Sequence, residues 1–265
     1  MQGQVSGLYI YPVKSCAAVP LKQAHCGIYG LQHDREWVIV SEGGQMLTQR
    51  DEPRMALIQP AVDENGTLTL SAPDRAPLTV SKGVSSCEPA EVDVWGRMRH
   101  AATLDLECGQ WLSQFLGVGC RLLRSVQLSG DGASAWDGGT FTDMYPLTVI
   151  GEDSLARLND RLEEPVSMDR FRPSIVLSGV GSHAEDSFET ITIGSVTLRQ
   201  LGSVPRCVIV MVDQVSGKLA GTEPMRTLST YRWRGGKVMF GQYFQTEQPG
   251  LIRLGDPIDA VAHAV

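Results

Sequence analysis

The chain has 265 residues, 42% of them hydrophobic, and carries 30 Asp and Glu against 23 Lys and Arg, a net charge of −7. That length and apolar content support a sizeable core, as one large domain or two intimate ones. The acidic balance argues against a stable nucleic-acid partner, which needs a concentrated basic surface, so any anion site must be local.

No apolar run approaches the ~20 residues that span a bilayer, and the opening residues lack a signal-peptide layout, so the expectation is a cytoplasmic protein with no membrane partner. The six cysteines, Cys16, Cys26, Cys87, Cys108, Cys120 and Cys207, form no C-x-x-C pair and do not cluster with histidine. Such scatter argues against structural zinc, iron–sulfur or a disulfide framework.

In chain order, β-type runs are expected at residues 8–13, 37–41, 67–70, 78–80 and 92–95. Asn65-Gly66 marks a hairpin. Trp111-Leu112 and Phe115-Leu116 recur at helical spacing, which predicts a helix over residues 106–116 stopped by Gly117. Residues 129–139 are polar and glycine-rich without nucleotide-binding spacing, so a surface loop is expected there. A second helix follows at about residues 153–162, then β-runs at 175–177, 191–193, 196–201 and 208–212. Glu223-Pro224 starts a third helix, and residues 237–246 and 251–261 return to strand. The reading is a mostly β protein with a few helices, divided into residues 1–125 and 126–265.

Basic residues recur where β-runs begin or end: Lys14-Ser15, Asp34-Arg35, Arg170 to Arg172, and Arg206. If those ends converge they form a cationic pocket, in which arginine grips phosphate with two donors and lysine acts as a point charge. The alternative is a set of solvated strand ends and ion pairs, which Asp34-Arg35 and Asp169-Arg170 suit. Pro205 cannot sit inside a strand, so a strand is expected to begin near Cys207, with the thiol at its mouth. Beside Arg206, such a thiol suits a nucleophile or a soft-metal ligand. The alternative is a small buried hydrophobe.

Several short motifs share one resemblance. They are Tyr11-Pro-Val-Lys14-Ser15-Cys16, Gly30 to Trp37 with Asp34-Arg35, and Leu47-Thr-Gln49-Arg50 with Pro53. Later come Arg170-Phe-Arg172-Pro173, Glu185-Asp186-Ser187, Arg206-Cys207, Val212-Asp213 with Gly217, and Glu223 to Arg232. Phe240-Gly-Gln-Tyr243-Phe244, Pro249-Gly250 and Gly255-Asp256-Pro257 complete the series. From about residue 5 onward the chain resembles MOSC-domain proteins with an N-terminal β-barrel-like partner domain, the family of the amidoxime-reducing components. The resemblance implies a MOSC β-barrel packed against that β-rich domain.

It also implies molybdenum cofactor, a metal-bearing pyranopterin with a phosphate. Cys207 would be the molybdenum ligand and the catalytic residue. Lys14, Ser15, Arg35 and Arg172 would contact the cofactor, with Thr142, Asp143, Tyr145, Arg206 and Tyr243 as further candidates by position. The implied reaction is reduction of the N–O bond of small N-hydroxylated compounds, a detoxification chemistry. The family also carries a description as pyridoxal phosphate binding, at family level alone.

Two departures stand out. Ser174 replaces a frequent Asn, and Val204-Pro-Arg206-Cys207 replaces a Cys-x-Arg-Cys pattern, leaving one thiol. The chain shows neither a cysteine-clustered ferredoxin-like domain nor a membrane anchor. The expected electron source is therefore separate: a flavin reductase, a ferredoxin-like protein or a haem carrier. A binding module that carries molybdenum cofactor or its sulfur is the alternative. A third reading, a metal-free thiol enzyme with His183 as base to Cys207, has no spacing that pairs the two.

Overall fold

The computed structural model describes residues 2–80, 88–104, 106–126 and 140–263. The glycine-rich stretch 129–139 and Cys87 lie outside them. The fold is mostly β and is organised by a closed seven-stranded barrel. Its strands are β1 (Gln2–Ile10), β2 (Leu147–Gly151), β3 (Ile175–Ser178), β4 (Phe188–Ile193), β5 (Val196–Pro205), β6 (Lys237–Gln248) and β7 (Pro257–Ala262). Around the ring the order is β2-β3-β1-β7-β4-β5-β6, and β6 closes on β2 through Leu147↔Phe244 and Val149↔Gln242. β1 thus inserts between two strands that both come much later in the sequence, Ile175–Ser178 and Pro257–Ala262.

The barrel closes because its strands alternate or are wholly apolar on the inner face. Val5, Leu8, Leu147, Val149, Ile175, Leu177, Ile191, Ile193, Val196, Leu198 and Phe244 all meet in one buried cluster. Each such side chain contributes about 1.5–3 kcal/mol on leaving water. β5 and β6 carry three register shifts against each other. Bulges of this kind bend a strand and let a barrel turn its corners.

Residues 11–126 add a second β-rich body. Trp37–Ser41, Cys120–Ser125, Met98–Thr103 and Pro89–Asp93 form one antiparallel sheet in that order. Gln59–Val62, Leu68–Ser71 and Leu78–Val80 form another, its first turn containing Asn65 and Gly66 at φ 72°. The helix α1 (Leu106–Leu116) buries Cys108, Leu112, Phe115 and Leu116 against Trp37, Met55 and Leu68, and Gly117 follows it at φ 79°. Among the described residues no helix is long and apolar enough to cross a membrane.

Several boundaries differ from expectation. The 92–95 run ends at Asp93, with Trp95 in the turn that follows. The second helix, α2, is Glu152–Asn159, and the third, α3, is Met225–Ser229 with Pro224 as its N-cap residue. Strands the periodicity did not mark include Gln23–Gly27, Met98–Thr103, Cys120–Ser125 and β2.

Candidate functional site

Pro205 ends a strand instead of preceding one. It is the last residue of β5, where a missing N–H costs no ladder bond, and the expected strand at residues 208–212 is a 3₁₀ turn, Val208–Met211. Cys207 caps that turn in extended conformation, at the exit of a strand. Among the described cysteines it alone is not buried. The cation facing it is not its neighbour: Arg50 Nη2 lies 3.2 Å from the Cys207 Sγ.

Arg206 turns the other way. Its Nε donates to the Phe240 carbonyl at 2.7 Å and its Nη1 to the Phe171 carbonyl at 2.6 Å. Its Nη2 is buried with no hydrogen-bond partner among the described residues. Gly241 makes room for it: at φ 75° in the middle of β6, a Cβ there would stand 2.7 Å from Ile150 and 3.2 Å from Arg206 Nη2. Burial draws the Arg206 guanidinium down to about 10, against the opposing influence of Tyr243 and Cys207, and it stays charged at neutral pH.

Two more arginines are fixed by a shared ring. The guanidinium carbons of Arg35 and Arg172 stand 4.4 Å and 4.1 Å from the Tyr11 ring centroid. Arg35 also pairs with the fully buried Asp34, whose other oxygen accepts from the Tyr11 backbone N–H at 2.7 Å. Burial works against the Arg35 charge, and Asp34, Tyr11 and Asp143 together more than offset it. Arg172 donates to the Cys16 carbonyl at 2.7 Å, and burial lowers its pKa despite Tyr11. Arg170 pairs with Asp213 at 2.8 Å.

Lys14 is buried and donates to Asp143 at 2.5 Å and to the Phe141 carbonyl at 2.8 Å. Burial pushes Asp143 up, but the Lys14 charge and hydrogen bond, with the Trp95 N–H, hold it well below the usual carboxylate range. Ser15 follows at φ 65°, its carbonyl accepting from Gln49.

These groups surround one cavity of about 110 Å³, at the seam between the barrel and residues 11–126. Arg35, Thr142, Asp143, Tyr145, Arg172, Arg206, Cys207 and Tyr243 line it, joined by Arg50, Thr148 and Arg170. Tyr145 and Tyr243 pack with ring centroids 5.0 Å apart. Burial pushes the Tyr243 hydroxyl up to about 12, so it remains a proton-bearing donor at neutral pH. Five arginines and one carboxylate on the wall of an acidic protein make a local anion site with a thiol at its side.

Residues 2–119 match the model of the MOSC N-terminal beta barrel domain, and residues 138–259 that of the MOSC domain. The mitochondrial amidoxime-reducing component 1 of Homo sapiens is 36% identical over 97% of this chain and 82% of its own length. The chain belongs to the MOSC-domain family of amidoxime-reducing components. Within it, mitochondrial amidoxime-reducing component 1 of Xenopus laevis is 35% identical over 97% of this chain and 81% of its own. Mitochondrial amidoxime reducing component 2 of Homo sapiens is 32% identical over 97% and 83%.

In this MOSC-domain chain neither Lys14 nor Ser15 lines the cavity: Lys14 meets its wall through Asp143, and the Ser15 carbonyl is taken by Gln49. Ser174, at the position of a frequent family Asn, is fully buried and its hydroxyl accepts from the Thr148 backbone N–H at 3.3 Å. His183 does not join Cys207. Its ring packs against Tyr231 and Phe240, with centroids 5.8 Å and 5.9 Å away, and it is not among the residues lining the cavity. The pairing of His183 with Cys207 that a metal-free thiol enzyme would need is not made; the group at the sulfur is Arg50. Arg50 was legible only as part of a motif, because its approach to Cys207 spans 157 residues of sequence.

Proposed function

We propose that this chain binds molybdenum cofactor and reduces N-hydroxylated compounds with electrons from separate donor proteins. The observation that carries the reading is the pairing of an unburied thiol with a buried, unpartnered Arg206 Nη2 in one arginine-lined cavity. An orphaned guanidinium nitrogen costs free energy unless an acceptor meets it. Phosphate is the acceptor that arginine forks suit.

The residues fit the cofactor in a second way. Among the described residues no three His, Cys, Asp or Glu side chains gather to hold a metal ion. A site with one thiol and many cations suits a metal that arrives with its own anionic chelate. Cys207 would supply the single protein ligand. Arg35, Arg172 and Arg206 would face the phosphate and pterin, with Lys14, Ser15, Thr142 and Tyr145 supporting the wall. When bound, the cofactor supplies a metal centre that passes two electrons to the substrate.

The reaction balances simply. An amidoxime takes two electrons and two protons, its N–O bond breaks, and an amidine and water leave. The electrons come from flavin, iron–sulfur or haem carriers. The chain's own part is to orient and to hold protons: Tyr243 keeps its O–H, Asp143 keeps its charge, and Arg50 faces the sulfur as a permanent cation.

The test is molybdenum per chain, in wild type and Cys207→Ser, from a host making the cofactor, followed by amidoxime turnover with a reduced dye. Near-stoichiometric metal lost in the variant, with turnover, supports the reading. Metal in neither, despite a control molybdoenzyme in the same host, overturns it. Loaded protein that donates cofactor or sulfur to an acceptor without turnover replaces it with a carrier.

A further inference from the structure

The turn joining Pro89–Asp93 to Met98–Thr103 has the wrong residue for its shape. Val94 and Arg97 close it with reciprocal backbone bonds of 2.9 Å and 3.3 Å, and its two central residues, Trp95 and Gly96, sit at φ 57° and 82°. Two positive φ values in a two-residue hairpin make a I′-type turn, whose first central position favours Asn, Asp or Gly. A bulky indole there is disfavoured by its own backbone. The local fold gives no reason for Trp95.

Its neighbours do. The indole Nε1 donates to Asp143 Oδ1 at 2.7 Å, and the Arg50 guanidinium carbon lies 4.7 Å from its ring centroid. Both partners line the cavity, and Arg50 reaches on to the Cys207 sulfur at 3.2 Å. The ring is thereby fixed in angle and height at the rim. It nevertheless stays 51% exposed, with the exposed Met144 following Asp143 along the same rim. A fixed, half-open aromatic face beside a reactive centre suits a flat conjugated group, which stacks on it without needing hydrogen-bond readout.

We infer that Trp95 is the stacking platform for the planar part of an N-hydroxylated substrate at the mouth of the Cys207 cavity, selecting aromatic over aliphatic amidoximes. This deepens the proposed function and rests on it. It also gives residues 88–104 a task in substrate choice, while the barrel and its arginines hold the cofactor.

Trp95→Asn suits the turn, so it separates fold from function. In this variant thermal stability should equal or exceed wild type and molybdenum content should be unchanged. KM for an aromatic amidoxime should rise about tenfold, the scale of one lost aromatic stack, with an aliphatic amidoxime little affected. Trp95→Phe should restore most of the aromatic preference. Equal KM changes for both substrates, or none, would overturn the inference. So would loss of molybdenum, which would make the ring a cofactor contact. Titration of the aromatic amidoxime, followed by tryptophan fluorescence in wild type and calorimetry in both, reads binding without turnover. Loaded wild type that reduces neither compound sinks the proposed function alone; equal binding by wild type and Trp95→Asn sinks the platform.

Discussion

Arg35 and Arg172, which line the cavity, and Trp95, which bonds Asp143 on its wall, all hold backbone angles in the left-handed region. Such angles cost about 1–2 kcal/mol each for residues with a Cβ and persist where the surroundings dictate them. Arg172 illustrates the exchange. Glycine would relieve its backbone but remove the guanidinium from Tyr11 and from the Cys16 carbonyl. Arg172→Gly should therefore shift Tm by only a few degrees while lowering molybdenum per chain about tenfold. Unchanged metal content would take Arg172 out of the site. Asp34 behaves differently. Asp34→Asn leaves the Arg35 charge half-paired in a buried place and should cost about 3 kcal/mol in urea unfolding. At this scale the sequence was informative about which side chains gather at one cavity and silent about posture. Cys207, Arg35, Arg172 and Arg206 were legible as residue types at strand ends. Positive φ at Arg172, and a Trp in a turn that favours Asn, leave no mark in composition or spacing.

Among the elements, β6 carries the site's most exacting demand. Gly241 lies where β2 and the Arg206 side chain both press against the strand, so a methyl there meets Ile150, the Val149 carbonyl and Arg206. Gly241→Ala should destabilise the barrel by about 2–4 kcal/mol and reduce metal content more than the equally central Phe244→Ala does. Equal loss in both would mean that Gly241 serves packing alone. Elements with strong periodicity were legible: α1 runs over the residues its apolar stripe indicated, and Trp37–Ser41 over its β-branched run. β2 was not, because Leu147–Gly151 is buried throughout and shows no alternation. The segment after Pro205 misled for a local reason. Val208–Met211 is β-branched and apolar, yet it coils into a 3₁₀ turn to bury Val210 beside Phe171 and Phe240.

Across the whole molecule, acid sensitivity between about pH 6.5 and 4 should centre on His183, away from the cavity. Burial, with the Arg232 charge, holds His183 down at about 4 against an ordinary 6.5. The folded protein thus binds this proton later than the unfolded chain. His183 contributes stability above about pH 6.5, and that contribution drains away as pH falls towards about 4. His183→Asn, which tolerates the φ of 58° there, should flatten the dependence of Tm on pH within that window. An unaltered slope would place the acid-sensitive group elsewhere.

The insertion of β1 between β3 and β7 bears on how the molecule is made. Gln4 pairs with Ser178 and Gln2 with Asp259, so the strand's two neighbours are translated long after it. During synthesis β1 must wait as an unsatisfied edge, open to sticking to other chains, until β7 leaves the ribosome. Residues 140–263 produced alone should stay insoluble or open-edged, and a peptide of residues 2–12 added during refolding should rescue them. β7 joins β1 to β4, so a chain cut short before residue 257 leaves the ring open between its earliest barrel strand and β4.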